Sequence, residues 1–237
     1  SSYVIQTNSN TTNVKIEGLS VIGEDKTDAK GVGGIQFNGV GNVDIIDSVI
    51  KAGDVYMESG VKNGGPEEGL DFPNSIAGNI NINIVSSEII SGGVICENEI
   101  TENKIIMQKQ SGVGISFAVR NSIIKIKDTK VYSGNNDIYN SDDAINITGS
   151  SSGSEFYIDD SSITGGDGGI KTPFNFGIGG NALRVQADVS IEINNSTLTG
   201  GNGGKSWGGN ALQIQKENTK KISITDSTLL GAAKGKG

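Results

Sequence analysis

The segment NSDDAINI at 140–147 carries two adjacent carboxylates, Asp142 and Asp143. A pair of carboxyl groups can protonate the leaving oxygen of a glycosidic bond and activate the attacking water. The chain has no histidine, so a Ser-His-Asp triad is excluded and the usual general base near neutral pH is absent. We expect no catalytic residues, and Asp142 and Asp143 are the alternative candidates if the chain is an enzyme.

A second acidic stretch, GPEEGLDF at 65–72, contains Glu67, Glu68 and Asp71. Calcium prefers several oxygen ligands, so these three side chains are weak candidates for a calcium site. The stretch lacks the ligand spacing of an EF-hand and the Gly-Gly-x-Gly-x-Asp repeat of calcium-binding β-helices. An ordinary solvated loop is the alternative, and we expect no cofactor.

Three aromatic residues stand in two glycine-rich loops. Phe174 and Phe176 lie in IKTPFNFGIGG at 170–180, and Trp207 lies in GKSWGG at 204–209. Exposed rings beside polar side chains suit recognition of a sugar or of a protein hot spot. The alternative is that these rings only cover the edge of the core. We take the three as candidate binding residues.

Composition excludes several classes of function. The formal net charge of -8 argues against a nucleic-acid partner, because phosphate binding needs clustered Lys and Arg. No apolar stretch approaches the ~20 residues of a membrane-spanning helix, so we expect no direct membrane insertion. The run GGNGGK at 200–205 lacks the spacing of a phosphate-binding loop. The single cysteine, Cys96, cannot form an internal disulfide, and we expect it to be a small buried residue.

The elements that position these candidates follow from a repeat. An apolar residue stands two positions before each anchor isoleucine, and another stands five positions after it. The step of two is strand alternation, whereas the step of five breaks that parity and requires a bend between the two columns. The anchors are Ile16, Ile45, Ile84, Ile126, Ile158, Ile193 and Ile224.

The residues after each anchor predict a corner followed by a ladder. The residue two positions past the anchor is Gly, Asp, Ser or Asn in every copy, and these types favour left-handed or turn conformations. A hydroxyl residue follows in six of the seven copies. If the coils stack in register, these hydroxyls can hydrogen-bond along the stack.

A second strand precedes each anchor as a pair of apolar residues, with Tyr3 and Ile5 as the first pair. The anchor spacing varies from 29 to 42 residues, and the variation is confined to the connection between the corner and this strand. Insertions on one face of a repeat mark its variable, often interacting edge. The loops with Phe174, Phe176 and Trp207 occupy this connection in consecutive coils, so the three rings are predicted to lie close together.

The architecture that satisfies these patterns is an all-β, right-handed parallel β-helix solenoid of about seven coils, with a narrow aliphatic core. The right hand follows from the strong preference of parallel crossovers. We expect one β-helix segment over residues 1–237. Because such a rod leaves two ends uncovered, we also expect it to be an uncapped piece of a longer rod.

The chain resembles the passenger domains of autotransporter adhesins, including the polymorphic outer-membrane type. The resemblance rests on the IxIxxS units and on GGIQF at 33–37, GGNALRV at 179–185 and GGNALQI at 208–214. It implies a non-enzymatic, monomeric β-helical stalk on the bacterial surface, within a larger protein anchored in the outer membrane. The implied partner is a host-cell or bacterial surface protein or glycan.

Two alternatives stay open. NSDDAINI also resembles the Asp-Asp segment of pectin-degrading glycoside hydrolases, which are right-handed β-helices as well, so a polysaccharide hydrolase or lyase is the enzymatic alternative. Against it, Asp143 aligns in the repeat with Asn181 and Asn210, which suggests a structural role. A trimeric segment of a phage tailspike is the further alternative.

Overall fold

The computed structural model describes residues 3–8, 13–27, 29–39, 41–57, 65–73, 78–96, 111–171, 177–215 and 221–235. Within these ranges the chain forms short β-strands and one 3-10 turn at Gly149–Ser151. The strands form three sheets of seven strands and one sheet of three strands, and all the pairings between them are parallel. In the described ranges, no helix has the length and apolar character needed to cross a membrane.

Each coil contributes one strand to each of the three large sheets, in the order A, B, C. Sheet A contains Tyr3–Gln6, Gly33–Gln36, Leu70–Phe72, Ile115–Phe117, Ile145–Ile147, Leu183–Val185 and Leu212–Ile214. Sheet B contains Val14–Glu17, Val43–Ile46, Asn81–Val85, Ile123–Lys127, Glu155–Asp159, Ser190–Asn194 and Lys221–Thr225. Sheet C contains Ser20–Ile22, Val49–Lys51, Glu88–Ile90, Lys130–Tyr132, Ser162–Thr164, Thr197–Thr199 and Thr228–Leu230.

The coils stack with equivalent residues in register. Ile84, for example, pairs with Ile45 of the preceding coil and with Ile126 of the following coil. The predicted repeat is therefore the unit of stacking, and the prediction of a parallel β-helix of about seven coils is confirmed.

The apolar columns of the repeat face one narrow interior. The anchor isoleucine is buried in coils one to six. In coil seven, Ile224 is 41% exposed and Leu229 is 38% exposed. The interior is mainly aliphatic, as predicted.

Phenylalanines form an aromatic row inside this aliphatic core. The rings of Phe37 and Phe72 stack with centroids 4.8 Å apart, and those of Phe72 and Phe117 stack at 5.2 Å. Phe156 meets Phe117 edge-on at 5.4 Å. The stacking follows from the repeat, because coils in register are separated by about 4.8 Å, which is close to the preferred spacing of stacked rings.

The first strand of sheet A differs from the predicted pairing. Ile5 pairs with Ile35, but Tyr3 pairs with Gly33, so the prediction that Tyr3 begins the column of core pairs is wrong. Gly33 has no side chain, and a Cβ atom there would lie 2.3 Å from the Tyr3 ring. The ring therefore uses the space above this glycine, and its hydroxyl donates to Glu68 Oε2 at 2.6 Å.

All seven predicted corner residues have a left-handed backbone conformation, with φ between 46° and 63°. They are Gly18, Asp47, Ser86, Asp128, Asp160, Asn195 and Asp226. Gly, Asn and Asp adopt this region at the lowest cost, which explains the composition of the column. The predicted corner is confirmed.

The hydroxyl ladder beside the corner is also confirmed, and its links run from backbone to hydroxyl. Ser161 Oγ donates to the carbonyl oxygen of Asp159 at 2.6 Å and accepts the N–H of Thr129, one coil away, at 3.2 Å. The same pair of bonds recurs at Ser48, Ser87, Thr129, Ser196 and Ser227. Each hydroxyl thus replaces a carbonyl acceptor where the chain bends.

The variable connection contains more regular structure than predicted. Sheet D, formed by Lys26–Thr27, Val55–Met57 and Val94–Cys96, lies in this connection in the first three coils. It adds a small second core in which Cys96 is buried with Val94, Ile138 and Tyr139.

Close approach of backbones explains the glycine content of the connection. Glycines eight positions after the anchor stack on one another, and a Cβ atom on Gly134 would lie 2.2 Å from the carbonyl oxygen of Gly92. Only glycine permits this approach of consecutive coils. The column consists of Gly53, Gly92, Gly134, Gly166 and Gly201.

We predict that Ser161→Ala lowers the free energy of unfolding by about 1–3 kcal/mol, because the buried N–H of Thr129 loses its acceptor. Chemical denaturation followed by circular dichroism measures the change. The control is Ser162→Ala. The Ser162 hydroxyl makes no hydrogen bond to a described residue, so its removal should lower the free energy of unfolding by less than about 0.5 kcal/mol. Equal effects of the two substitutions would contradict the role of the ladder.

Candidate functional site

Asp142 and Asp143 lie just before the sheet A strand Ile145–Ile147, where the fifth coil begins. Asp143 is 3% exposed and Asp142 is partly buried. The N–H of Asp142 donates to Ser111 Oγ at 2.8 Å, and the N–H of Asp143 donates to Asp142 Oδ1 at 3.0 Å. Asp143 Oδ2 also lies 3.6 Å from Nη1 of Arg184. The structure therefore brings both carboxyl groups and one guanidinium together.

Asp143 has the structural role that the repeat predicted. Its Oδ1 accepts the backbone N–H of Asn181 at 3.0 Å and the side-chain amide of Asn181 at 2.7 Å. Asn181 Oδ1 accepts the same two groups from Asn210, at 2.9 and 3.0 Å. Each side chain therefore caps the start of the next coil. Because asparagine performs this role one coil later, the ladder by itself does not require a carboxylate at position 143.

The electrostatics of the pair are unusual. Burial, and then the neighbouring charge of Asp143, raise the pKa of Asp142 to about 7. Burial also raises the pKa of Asp143, although hydrogen bonds from Asn181 and the charge of Arg184 oppose this shift. Asp143 Oδ2 has no hydrogen-bond partner among the described residues. At neutral pH Asp142 is therefore partly protonated, and a pKa near the operating pH is what a general acid requires.

The acidic residues proposed as weak calcium ligands each have protein partners. The buried Glu67 forms an ion pair with Lys30. Glu68 accepts the Tyr3 hydroxyl, and Asp71 Oδ2 accepts an amide N–H of Gln36 at 2.8 Å. Burial raises the pKa of Asp71 to about 6. In the described part of the chain, no three Asp, Glu or Cys side chains form a group that could hold a metal ion.

Trp207 is 65% exposed on the edge of the rod. Nζ of Lys234 lies 4.6 Å from the centroid of its ring, within the range of a cation–π contact. Two other apolar side chains in the equivalent connection of the preceding coil are exposed, Ile170 at 63% and Ile178 at 40%. We refer to Ile170, Ile178, Trp207 and Lys234 as the Trp207 edge.

The backbone around Trp207 confirms that its loop and the preceding one are equivalent. The N–H of Gly179 donates to the carbonyl oxygen of Trp207 at 2.9 Å, and the N–H of Gly204 donates to Gly177 at 2.7 Å. The two loops are therefore stacked on each other. Phe174 and Phe176 lie outside the described residues, so their closeness to Trp207 stays a prediction.

One further feature, a groove on the outer face of sheet B, was missed by sequence reasoning. Its volume is about 630 Å³, and it crosses coils two to five. A sequence signal could have revealed this groove. It consists of short polar residues at outward positions of two coils, followed by Lys125 and Tyr157 in the next two. The lining residues are Asn42, Asp44, Asn81, Asn83, Ile123, Lys125, Tyr157 and Asp159.

No protein-family model and no curated protein matches this chain. The likeness to autotransporter passenger domains therefore stays a prediction, whereas the β-helix that it implies is present.

We predict that the chain becomes less stable as the pH rises from about 4 to about 7. Asp142 and Asp71 have folded pKa values of about 7 and about 6, above the ~3.9 of an unfolded aspartate. The native state therefore binds these protons more tightly than the unfolded state does. The stability that they contribute at low pH is lost as the pH rises from the pKa of the unfolded state through the pKa values of the folded state. No histidine titrates in this range.

Thermal unfolding at several pH values measures this slope, and Asp142→Asn should flatten it. Asp226→Asn is the control, because Asn195 already occupies the equivalent exposed corner. A stability that rises over this pH range, or a slope that Asp142→Asn leaves intact, would show that burial does not raise the pKa of Asp142.

Proposed function

We propose that this chain is a non-enzymatic binding segment of a bacterial surface adhesin of the autotransporter type. In this proposal the β-helix is a stalk within a larger protein anchored in the outer membrane, and it attaches to a protein or glycan on host or neighbouring cells. The observation that carries the proposal is the exposure of Trp207 on a stacked, hydrogen-bonded loop, with Lys234 over its ring.

The energetics of the Trp207 edge support a binding role. A tryptophan that is 65% exposed gains much free energy when a partner covers it, and tryptophan is enriched at interface hot spots. Its loop is tied to the preceding coil by backbone hydrogen bonds, so little conformational entropy is lost on binding. The exposed Ile170 and Ile178 extend the apolar area of the same edge.

The test is binding of the fluorescently labelled chain to cultured epithelial cells and to bacterial cells, measured by flow cytometry. Trp207→Ala should weaken binding by about tenfold or more, because removal of a hot-spot residue costs at least about 1.4 kcal/mol. Ile22→Ala is the matched control, since Ile22 is 62% exposed on sheet C, away from this edge. Binding by Trp207→Ala equal to that of the unmodified chain would contradict the proposal.

The enzymatic alternative is favoured by one observation, the near-neutral pKa of Asp142 beside Asp143 and Arg184. A carboxyl group that is partly protonated at neutral pH can act as the general acid in glycoside cleavage.

Incubation with acidic polysaccharides, followed by assays for reducing ends and for unsaturated products, tests this alternative. The adhesin proposal predicts no turnover. Turnover that disappears in Asp142→Asn and Asp143→Asn, but persists in Asp226→Asn, would replace it with a hydrolase or lyase. Asp143→Asn should keep the fold, because Asn181 accepts the same two hydrogen bonds one coil later.

A further inference from the structure

The groove on the outer face of sheet B is lined by side chains of two lengths. Asn42, Asp44, Asn81 and Asn83, in coils two and three, are short and form its floor. Lys125 and Tyr157, in coils four and five, are longer and line it as well. The volume of about 630 Å³ falls within the range of small-ligand sites.

The backbone of sheet B is not available to a ligand at this place. Asn81–Val85 pairs with Val43–Ile46 on one side and with Ile123–Lys127 on the other, and Ile123–Lys127 pairs in turn with Glu155–Asp159. A peptide cannot add a strand to a face whose N–H and carbonyl groups are already paired. Recognition in the groove therefore depends on side chains alone.

These side chains form an array of amides and carboxylates with unused hydrogen-bonding capacity. Asn83 Nδ2 donates to Asp44 Oδ1 at 2.6 Å, which orders both groups and leaves the Asn83 carbonyl oxygen and Asp44 Oδ2 to accept bonds from a ligand. Lys125 is exposed and forms no ion pair with any described residue, so its ammonium group can donate to a ligand.

Apolar surface borders this polar array. Ile123 is 39% exposed in the groove. The hydroxyl of Tyr157 donates to Glu155 Oε2 at 2.8 Å, which fixes the ring in place beside the floor. A pre-positioned tyrosine ring offers a rigid apolar surface at low entropic cost.

We propose that this groove binds an uncharged glycan chain. Sugar hydroxyls both donate and accept, and so match amides, carboxylates and an ammonium group at once, while their C–H faces suit the Tyr157 ring and Ile123. The lining charges are Asp44, Asp159 and Lys125, so the site carries no strong charge of either sign and fits a neutral ligand better than a polyanion. This proposal is independent of binding at the Trp207 edge, because the two surfaces belong to different faces of the coil.

The experiment is a binding screen of the whole chain against neutral oligosaccharides of glucose, galactose, mannose and N-acetylglucosamine, with oligogalacturonates as the acidic set. Isothermal titration of the tightest neutral ligand then compares variants. Tyr157→Ala and Lys125→Ala should each weaken binding by about fivefold or more. Tyr157→Phe should retain most of the affinity, because the hydroxyl is already bonded to Glu155.

One control separates this site from the rest of the molecule. Tyr132→Ala removes a partly buried tyrosine from sheet C and should bind the neutral glycan as tightly as the unmodified chain. Trp207→Ala is measured beside it to distinguish binding in the groove from binding at the Trp207 edge. Lys125 is exposed, so Lys125→Ala keeps the test valid even if Tyr157→Ala fails to fold.

The proposal is overturned if no neutral oligosaccharide binds or if only the acidic set binds. It is also overturned if Lys125→Ala and Tyr157→Ala bind normally, or if the affinity falls only in Trp207→Ala. That last outcome would place the glycan at the Trp207 edge and leave the proposed function standing.

Discussion

The backbone N–H and carbonyl groups of every coil have to find their hydrogen-bond partners in the neighbouring coils. Within the sheets the next coil lies about 4.8 Å away, and an N–H finds a carbonyl oxygen there at about 2.9 Å. Where the chain bends, that match is lost, and side-chain oxygens take the place of the carbonyls. Ser161 does this at the corner, Asp143 does it before sheet A, and Asn42 does it before sheet B, where its Oδ1 accepts the N–H of Asn81 at 2.9 Å.

This constraint explains most of the polar composition. Serines, asparagines and aspartates recur because each bend needs an acceptor that repeats in register, and glycines recur where consecutive backbones come too close for a Cβ atom. A polar residue in such a chain is therefore structural by default. The residues that the ladders do not use, such as Asp142, Lys125, Tyr157 and Trp207, are those to which a function can be assigned.

Much of the β-helix could be predicted, because the sequence patterns that indicate it are local. The column of left-handed corners follows from residue types two positions after each anchor, and the equivalence of the loops around Gly177 and Trp207 follows from counting along the repeat. The prediction that Tyr3 begins the column of core pairs is wrong because the Tyr3 ring occupies the space above Gly33, thirty residues away. Alternation along the strand does not reveal this space. The glycine column eight positions after the anchor was visible in the sequence and was missed.

The sequence by itself determined the period, the inward columns, the corners and the edge on which the loops vary, since each of these depends on residues a few positions apart. The tertiary structure decided the pKa of Asp142, the pairing of Asp143 with Arg184, the aromatic row and the groove beside Tyr157. The physical reason is that each of these features joins side chains from different coils. Their distances, burial and relative heights exist only once the coils are stacked in register.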